Sequence, residues 1–202
     1  MGKENSNNNP PKISAIKYFF EGNCFSSAIF YKYKDSLRFE ISQRDSRLNQ
    51  FATAYENAKT ILHFIFEKDT EVYCSLSLSG DSLLPARSQI KELQHGGFTI
   101  PSQRLIDYDI DGDEKIARII FQTSKEECTK LLWMKIAHEL GISPSTWLDL
   151  HIFSIENKIL AHPYDERGID VIGKKSTLKT AFNKLHHLLI NYDIEKMESS
   201  FK

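Results

Sequence analysis

Hydrophobic positions along the chain change period several times, and each change marks an element. In "LRFEIS", Leu37, Phe39 and Ile41 alternate with Arg38, Glu40 and Ser42, the period of two that sets one face of a strand against a core. The wider stretch from Ala28 to Ser42 is rich in aromatic and β-forming residues and is interrupted at Lys34-Asp35-Ser36, which predicts two strands and a turn. Farther on, Phe51, Ala54, Tyr55, Ala58, Ile61, Leu62, Ile65 and Phe66 fall three and four apart, the stripe of an amphipathic helix, with His63 just off it. "TEVYCSLSLSG" alternates again, Val72, Cys74, Leu76 and Leu78 against Glu71, Tyr73, Ser75 and Ser77, and ends in a loop at Gly80-Asp81. "PARSQIKELQHGG" predicts a short helix that opens near Pro85 and closes at Gly96 or Gly97.

The second half repeats the alternation of hairpins and helices. "SQRLIDYDI" and "KIARIIFQT" are β-prone segments joined by an Asp-Gly turn, a hairpin signature. "SKEECTKLLWMKIAHELG" carries Ser124 as N-cap, Glu127 three residues on and Gly141 as its stop, which predicts a second amphipathic helix. Around Glu156-Asn157-Lys158, "WLDLHIFSIENKILAHPYD" predicts two more strands, and "GIDVIG" a further short one. A last helix places Leu178, Ala181, Phe182, Leu185, Leu188 and Leu189 on one side and is broken near Asp193. Strands in hairpins with helices between them imply an α+β domain: a mainly antiparallel sheet with three main helices packed on one face. The expected organisation is a disordered tail over residues 1–14 and a single domain over 15–202, with Pro101 and Ser143 as the places where a division would fall.

Composition narrows the function classes. At 202 residues, surface scaling has folding bury about 70% of the unfolded chain's accessible area, enough for a self-sufficient core. The 26 Lys and Arg nearly cancel the 27 Asp and Glu, so no overall field draws the chain to nucleic acid or anionic lipid, and any electrostatic partner must meet a local patch. The Lys174, Lys175, Lys179 and Lys184 flank lacks the net positive charge and stacking aromatics of a nucleic-acid site. Cys24, Cys74 and Cys128 are odd in number, widely spaced and set in apolar segments, as expected of buried thiols in a reducing compartment. The polar N-terminus lacks the apolar core of a signal peptide, and Gly2 and Ser6 meet only the loose myristoylation pattern. No apolar run approaches the length that crosses a bilayer, and the expected location is the cytoplasm.

Two stretches carry candidate chemistry. "DYDIDGDE" lays Asp107, Asp109, Asp111, Gly112 and Asp113 on the first positions of a calcium loop, but Lys115 and Arg118 then occupy the ninth and twelfth places, where oxygen ligands must close the shell. The stretch therefore reads as a hairpin tip, and Asp107, Asp109, Asp111, Asp113 and Glu114 form a concentrated acidic patch suited to a basic partner. In "AHPYDERGIDVIG", His162, Tyr164, Asp165, Glu166, Arg167, Gly168 and Asp170 crowd into nine residues. A turn accounts for them: Asp165 and Glu166 begin it, Gly168 permits a left-handed position or close approach, and Arg167 pairs with Asp165, Asp170 or a helix end. The competing reading is a hydrolase-like site of Asp165, Glu166, Arg167 and His162, which requires these groups to line one concave pocket. His186 and His187 point about 100° apart on a helix and make a poor metal pair. No cofactor, metal site or catalytic residue is assigned from these patterns.

"LRFEIS", "DYDIDGDE" and above all "PYDERGIDVIG", followed by a Leu-rich helix and "NYDIEKMESSF", resemble an uncharacterised bacterial domain family whose hallmark is Tyr-Asp-Asp-Arg-Gly. Tyr164, Asp165, Arg167 and Gly168 match, and Glu166 stands where the family more often has Asp; the similarity runs from about Phe30 to the C-terminus. The resemblance implies a companion of polymorphic toxin systems of the Rhs and contact-dependent growth inhibition type: a cytoplasmic immunity protein that binds and neutralises a cognate toxin domain. Its candidate contacts are the acidic residues above together with Tyr164, Asp165, Glu166 and Arg167.

Overall fold

The computed structural model of the chain describes residues 9–77, 86–111 and 114–202, with the backbone alone described for Ala86, Ile110, Asp111, Glu114 and Lys115. Seven strands, β1 (Ser36–Glu40), β2 (Glu71–Ser77), β3 (Arg104–Asp111), β4 (Glu114–Ser124), β5 (Asp149–Ser154), β6 (Ile159–Pro163) and β7 (Gly168–Gly173), form one sheet. Every pairing is antiparallel and the order is β1-β7-β6-β5-β2-β4-β3. The fold is α+β and a single domain, since one sheet takes strands from both sides of Pro101 and of Ser143.

Local signals explain the elements on the inner face. Helix α3 (Arg47–Ile65) starts at Ser46, whose hydroxyl accepts from the Asn49 N–H, and it buries Phe51, Ala54, Ala58, Ile61, Leu62 and Ile65. Helix α5 (Lys125–Glu139) starts at Ser124, which accepts from the Glu127 N–H, and it is followed by Gly141 at φ +64°. The Glu127 carboxylate goes to Lys130 at 2.6 Å. With α6 (Lys175–Lys184), these helices cover the sheet face of Leu37, Phe39, Cys74, Leu76, Phe121, Ile152, Ala161 and Val171. The last helical stretch ends at Lys184, passes through two short 3-10 turns and resumes as α7 (Ile194–Phe201); on the way Leu189 bridges Phe39 along the β1 edge. Helix α4 (Ala86–His95) lies between β2 and β3 in sequence, and Gly97 after it adopts φ +83°.

Three expectations change. Residues Ala28–Tyr33 form no strand: Ala28 is left-handed and Ile29–Lys32 make one helical turn, α2, so only the second half of the expected hairpin, β1, joins the sheet. Helices are not confined to one face. A helix that the hydrophobic pattern did not predict, α1 (Ile13–Phe19), and the segment after it lay Ile13, Ile16, Phe20, Phe25 and Ile29 on the outer sheet face, over Ile120, Phe153, Leu160 and Ile172. Finally, among the described residues there are seven α-helices where three main ones were expected. The physical reason for the second change is visible in β6 and β7, which are buried on both sides as strands of a covered sheet must be. All three cysteines are buried thiols, and Cys74 Sγ lies 3.3 Å from Cys128 Sγ. Among the described residues, no helix is long and apolar enough to cross a membrane.

Candidate functional site

The outer sheet face carries a polar row beneath α1 and α2. Register builds it: Arg38 of β1 pairs with Asp170 of β7, Asp170 with His162 of β6, and the Ile152–Ala161 pairing sets His162 beside His151 of β5, which pairs with Ser75 of β2. Period-two alternation turns all of these side chains to the same face.

At the β1 end, the fully buried Asp170 receives Nε and Nη2 of Arg38 at 2.7 and 2.8 Å and the Phe30 N–H at 3.2 Å. The guanidinium sits 4.9, 4.6 and 5.0 Å from the ring centres of Phe30, Tyr31 and Tyr164. Asp193 closes the cluster, 3.4 Å from Arg38 Nη1 and accepting from the Tyr31 hydroxyl at 3.0 Å. This network ties β1, β7, α2 and the chain before α7 together.

The Tyr-Asp-Glu-Arg-Gly stretch is the turn from β6 into β7. Asp165 accepts the Arg167 backbone N–H at 2.8 Å and holds its guanidinium at 2.9 and 2.5 Å. The Glu166 carbonyl accepts from the Ser42 hydroxyl, and the Arg167 carbonyl from the Ile41 N–H. Gly168 permits a close approach: a Cβ there would stand 1.9 Å from the Tyr164 hydroxyl and 2.7 Å from the Phe39 carbonyl. The motif thus builds a hairpin end under Arg38. His162 faces elsewhere, hydrogen-bonded through Nε2 to Asp149 at 3.2 Å and stacked on His151, while Arg167 is held by Asp165.

The acidic stretch is the predicted hairpin of β3 and β4, and the structure divides its carboxylates. Asp109 is 1% exposed and ion-paired with Lys17 of α1 and with Arg118. Asp107 accepts the Ile13 N–H at 3.0 Å, which fixes the start of α1, and its other oxygen accepts the Tyr108 N–H. Gly112 and Asp113, with the side chains of Asp111 and Glu114, lie outside the described residues. Lys115 and Arg118 were the residues that broke the calcium pattern, and Arg118 points inward with 1% exposure, its Nη1 2.9 Å from Asp149 Oδ2 and its Nη2 donating to the Phe25 carbonyl.

At the centre of this face, His162 meets Asp149 and His151, two residues that no sequence motif marks. Asp149, His151 and His162 offer donor atoms that all lie within 4.8 Å of one another. The imidazole rings are parallel within 1°, with centres 4.2 Å apart, and Phe25 meets His151 edge-on at 5.2 Å. Among the described residues, neither nitrogen of His151, nor Nδ1 of His162, nor the Ser75 hydroxyl has a hydrogen-bond partner. The only signal available beforehand was phase: in "DLHIFS" and "ILAHP" the histidines interrupt otherwise apolar buried positions.

Burial keeps His151 neutral, its value held well below 6.5, with His162 and Arg118 adding to the effect and Asp149 opposing it. Burial works against ionisation of Asp149, but the hydrogen bond from His162 and the Arg118 charge outweigh it and hold the carboxyl well below its usual range. These shifts act in different pH windows. The unfolded chain protonates His151 near its ordinary 6.5 and the folded chain does not, so stability falls below that pH by about 1.4 kcal/mol per pH unit. The Asp149 contribution is intact above its ordinary 3.8 and is lost only as pH falls below that through its depressed folded value. Urea unfolding at pH 7, 6 and 5 is expected to show the first slope, and His151→Phe to flatten it; an equal slope in that variant would assign it elsewhere.

Comparison with known proteins adds one match: the family model described as a domain of unknown function, DUF3885, covers residues 14–193. No curated protein and no solved structure matches the chain.

Proposed function

This chain belongs to the DUF3885 family, a domain of unknown function, and we propose that it is an interaction protein, an immunity factor that binds and neutralises a cognate bacterial toxin domain. The observation that carries the reading is the β3 end of the sheet. β3 is last in the strand order, and Ile106 and Tyr108 on it are 40% and 46% exposed. Exposed aromatic and aliphatic side chains suit the centre of an interface, and the acidic sequence that carries them suits a basic partner. The Tyr31–Arg38–Asp170 network and the Asp165–Arg167 turn, by contrast, have their polar groups occupied within the fold. The resemblance to proteins of Rhs and contact-dependent growth inhibition loci supports the choice of partner.

The test is direct. The toxin domain encoded beside this chain is expected to form a stable complex with it, and Ile106→Ala with Tyr108→Ala to weaken that complex at least tenfold at unchanged circular dichroism. Asp111→Lys with Asp113→Lys is expected to slow association and reduce its salt dependence. Unchanged affinity in both pairs would move the interface away from β3, and failure of the unaltered proteins to associate would overturn the immunity reading itself.

A further inference from the structure

We propose that Asp149, His151 and His162 form a binding site for one divalent transition-metal ion of the zinc class. Two imidazoles and one carboxylate are a donor set that such ions take in tetrahedral sites with an open fourth position. Tetrahedral ligands at about 2.0–2.1 Å from an ion stand about 3.3 Å apart. Asp149 Oδ1 lies 3.2 Å from His162 Nε2, at that spacing, and 3.7 Å from His151 Nδ1, slightly beyond it. Arg118 Nη1 stands 2.9 Å from the other oxygen, Oδ2, on the side away from that contact.

The second, independent observation is the set of orphaned atoms. A fully buried imidazole with neither nitrogen hydrogen-bonded is rare, because each bare polar atom carries a desolvation penalty. Coordination would satisfy one nitrogen of His151 and replace the His162–Asp149 hydrogen bond with two stronger bonds to the same ion. The parallel rings must tilt toward one another for their lone pairs to converge, and the unpartnered His151 nitrogens leave it no hydrogen bond to lose in doing so. Lys17 and Arg118 balance Asp109 and Asp149 in charge, so an ion adds net positive charge to the face. A hydroxide as fourth ligand would halve that excess.

The whole chain, stripped with a chelator, dialysed against Zn2+ and desalted, is expected to retain about one equivalent by elemental analysis, and none of Mg2+, which avoids imidazole. His162→Gln and Asp149→Asn are each expected to weaken Zn2+ by more than about 100-fold, since loss of even an outer-sphere partner costs 10–100-fold. His186→Ala with His187→Ala is expected to leave retention unchanged. Because a variant at a buried position can unfold, Co2+ added to the unaltered protein supplies a second readout: the visible absorption of a four-coordinate site. Retention below stoichiometry, six-coordinate Co2+ spectra, or equal Zn2+ in the His162 variant would each overturn the proposal.

Discussion

Asp170→Ala is expected to destabilise the fold by about 3–5 kcal/mol, the range for removing one partner of a buried ion pair. Asp170 has no exposed surface, and its two oxygens serve Arg38 twice and the Phe30 N–H once. Alanine would leave the guanidinium enclosed by Phe30, Tyr31 and Tyr164 with Asp193 at 3.4 Å as its remaining acid among the described residues, and would orphan the N–H at the second residue of α2. Asp170→Asn keeps an acceptor for that N–H and is expected to lose less. The combination of Asp170→Leu with Arg38→Met removes both charges and is expected to recover part of the loss, because well-packed apolar replacements of a buried pair are often close to neutral. Urea unfolding at pH 7 measures all three. A loss within about 1 kcal/mol for Asp170→Ala would show that Arg38 reaches water, and the account of β1 as clamped by this pair would fail.

How much of this was legible follows from range along the chain. The β3–β4 and β5–β6 hairpins, the Ser46 and Ser124 helix starts and the Gly141 stop rest on residues within a few positions of one another, where turn chemistry and capping act. Helix α1 was not legible, because Ile13, Ile16 and Phe20 repeat over barely two turns beside a polar tail, too few for periodicity to register. Helix α2 contradicts its own composition: Ile29, Phe30 and Tyr31 favour strands, yet docking of Phe30 over the Arg38–Asp170 pair holds one helical turn there. The Tyr-Asp-Glu-Arg-Gly turn was legible in its Asp165–Arg167 pair and in the close approach at Gly168, both local. The central cluster was not. His162 lies 13 residues from Asp149, and their meeting depends on the β5–β6 register, which no spacing rule encodes. Arg38 and Asp170, 132 residues apart, depend likewise on β1 returning to pair with β7.

Arg118→Ala is expected to cost a similar 3–5 kcal/mol for a different reason. This single side chain faces two carboxylates, Asp109 at 3.4 Å and Asp149 at 2.9 Å, donates to the Phe25 carbonyl at 3.0 Å and lies over the Phe25 ring. Without it, among the described residues, Lys17 remains beside Asp109, and the imidazoles of His162 and His151 beside Asp149. Arg118→Lys keeps the charge but lacks the fork that reaches three acceptors, and is expected to fall between the two. Packing and charge contribute separately, and pH separates them. Arg118 is one of the groups that depress His151, so its removal lets the folded chain accept a proton more readily, and the acid-side slope of stability becomes shallower. The difference between variant and unaltered protein is therefore expected to be smaller at pH 5 than at pH 7, whereas a lost packing contact would subtract the same amount at both. A double-mutant cycle with Asp149→Asn, expected to give a coupling of about 1–3 kcal/mol, would place that electrostatic share on the Asp149 pair. A coupling near zero would assign it to Asp109 and to the α1 contact that Lys17 completes.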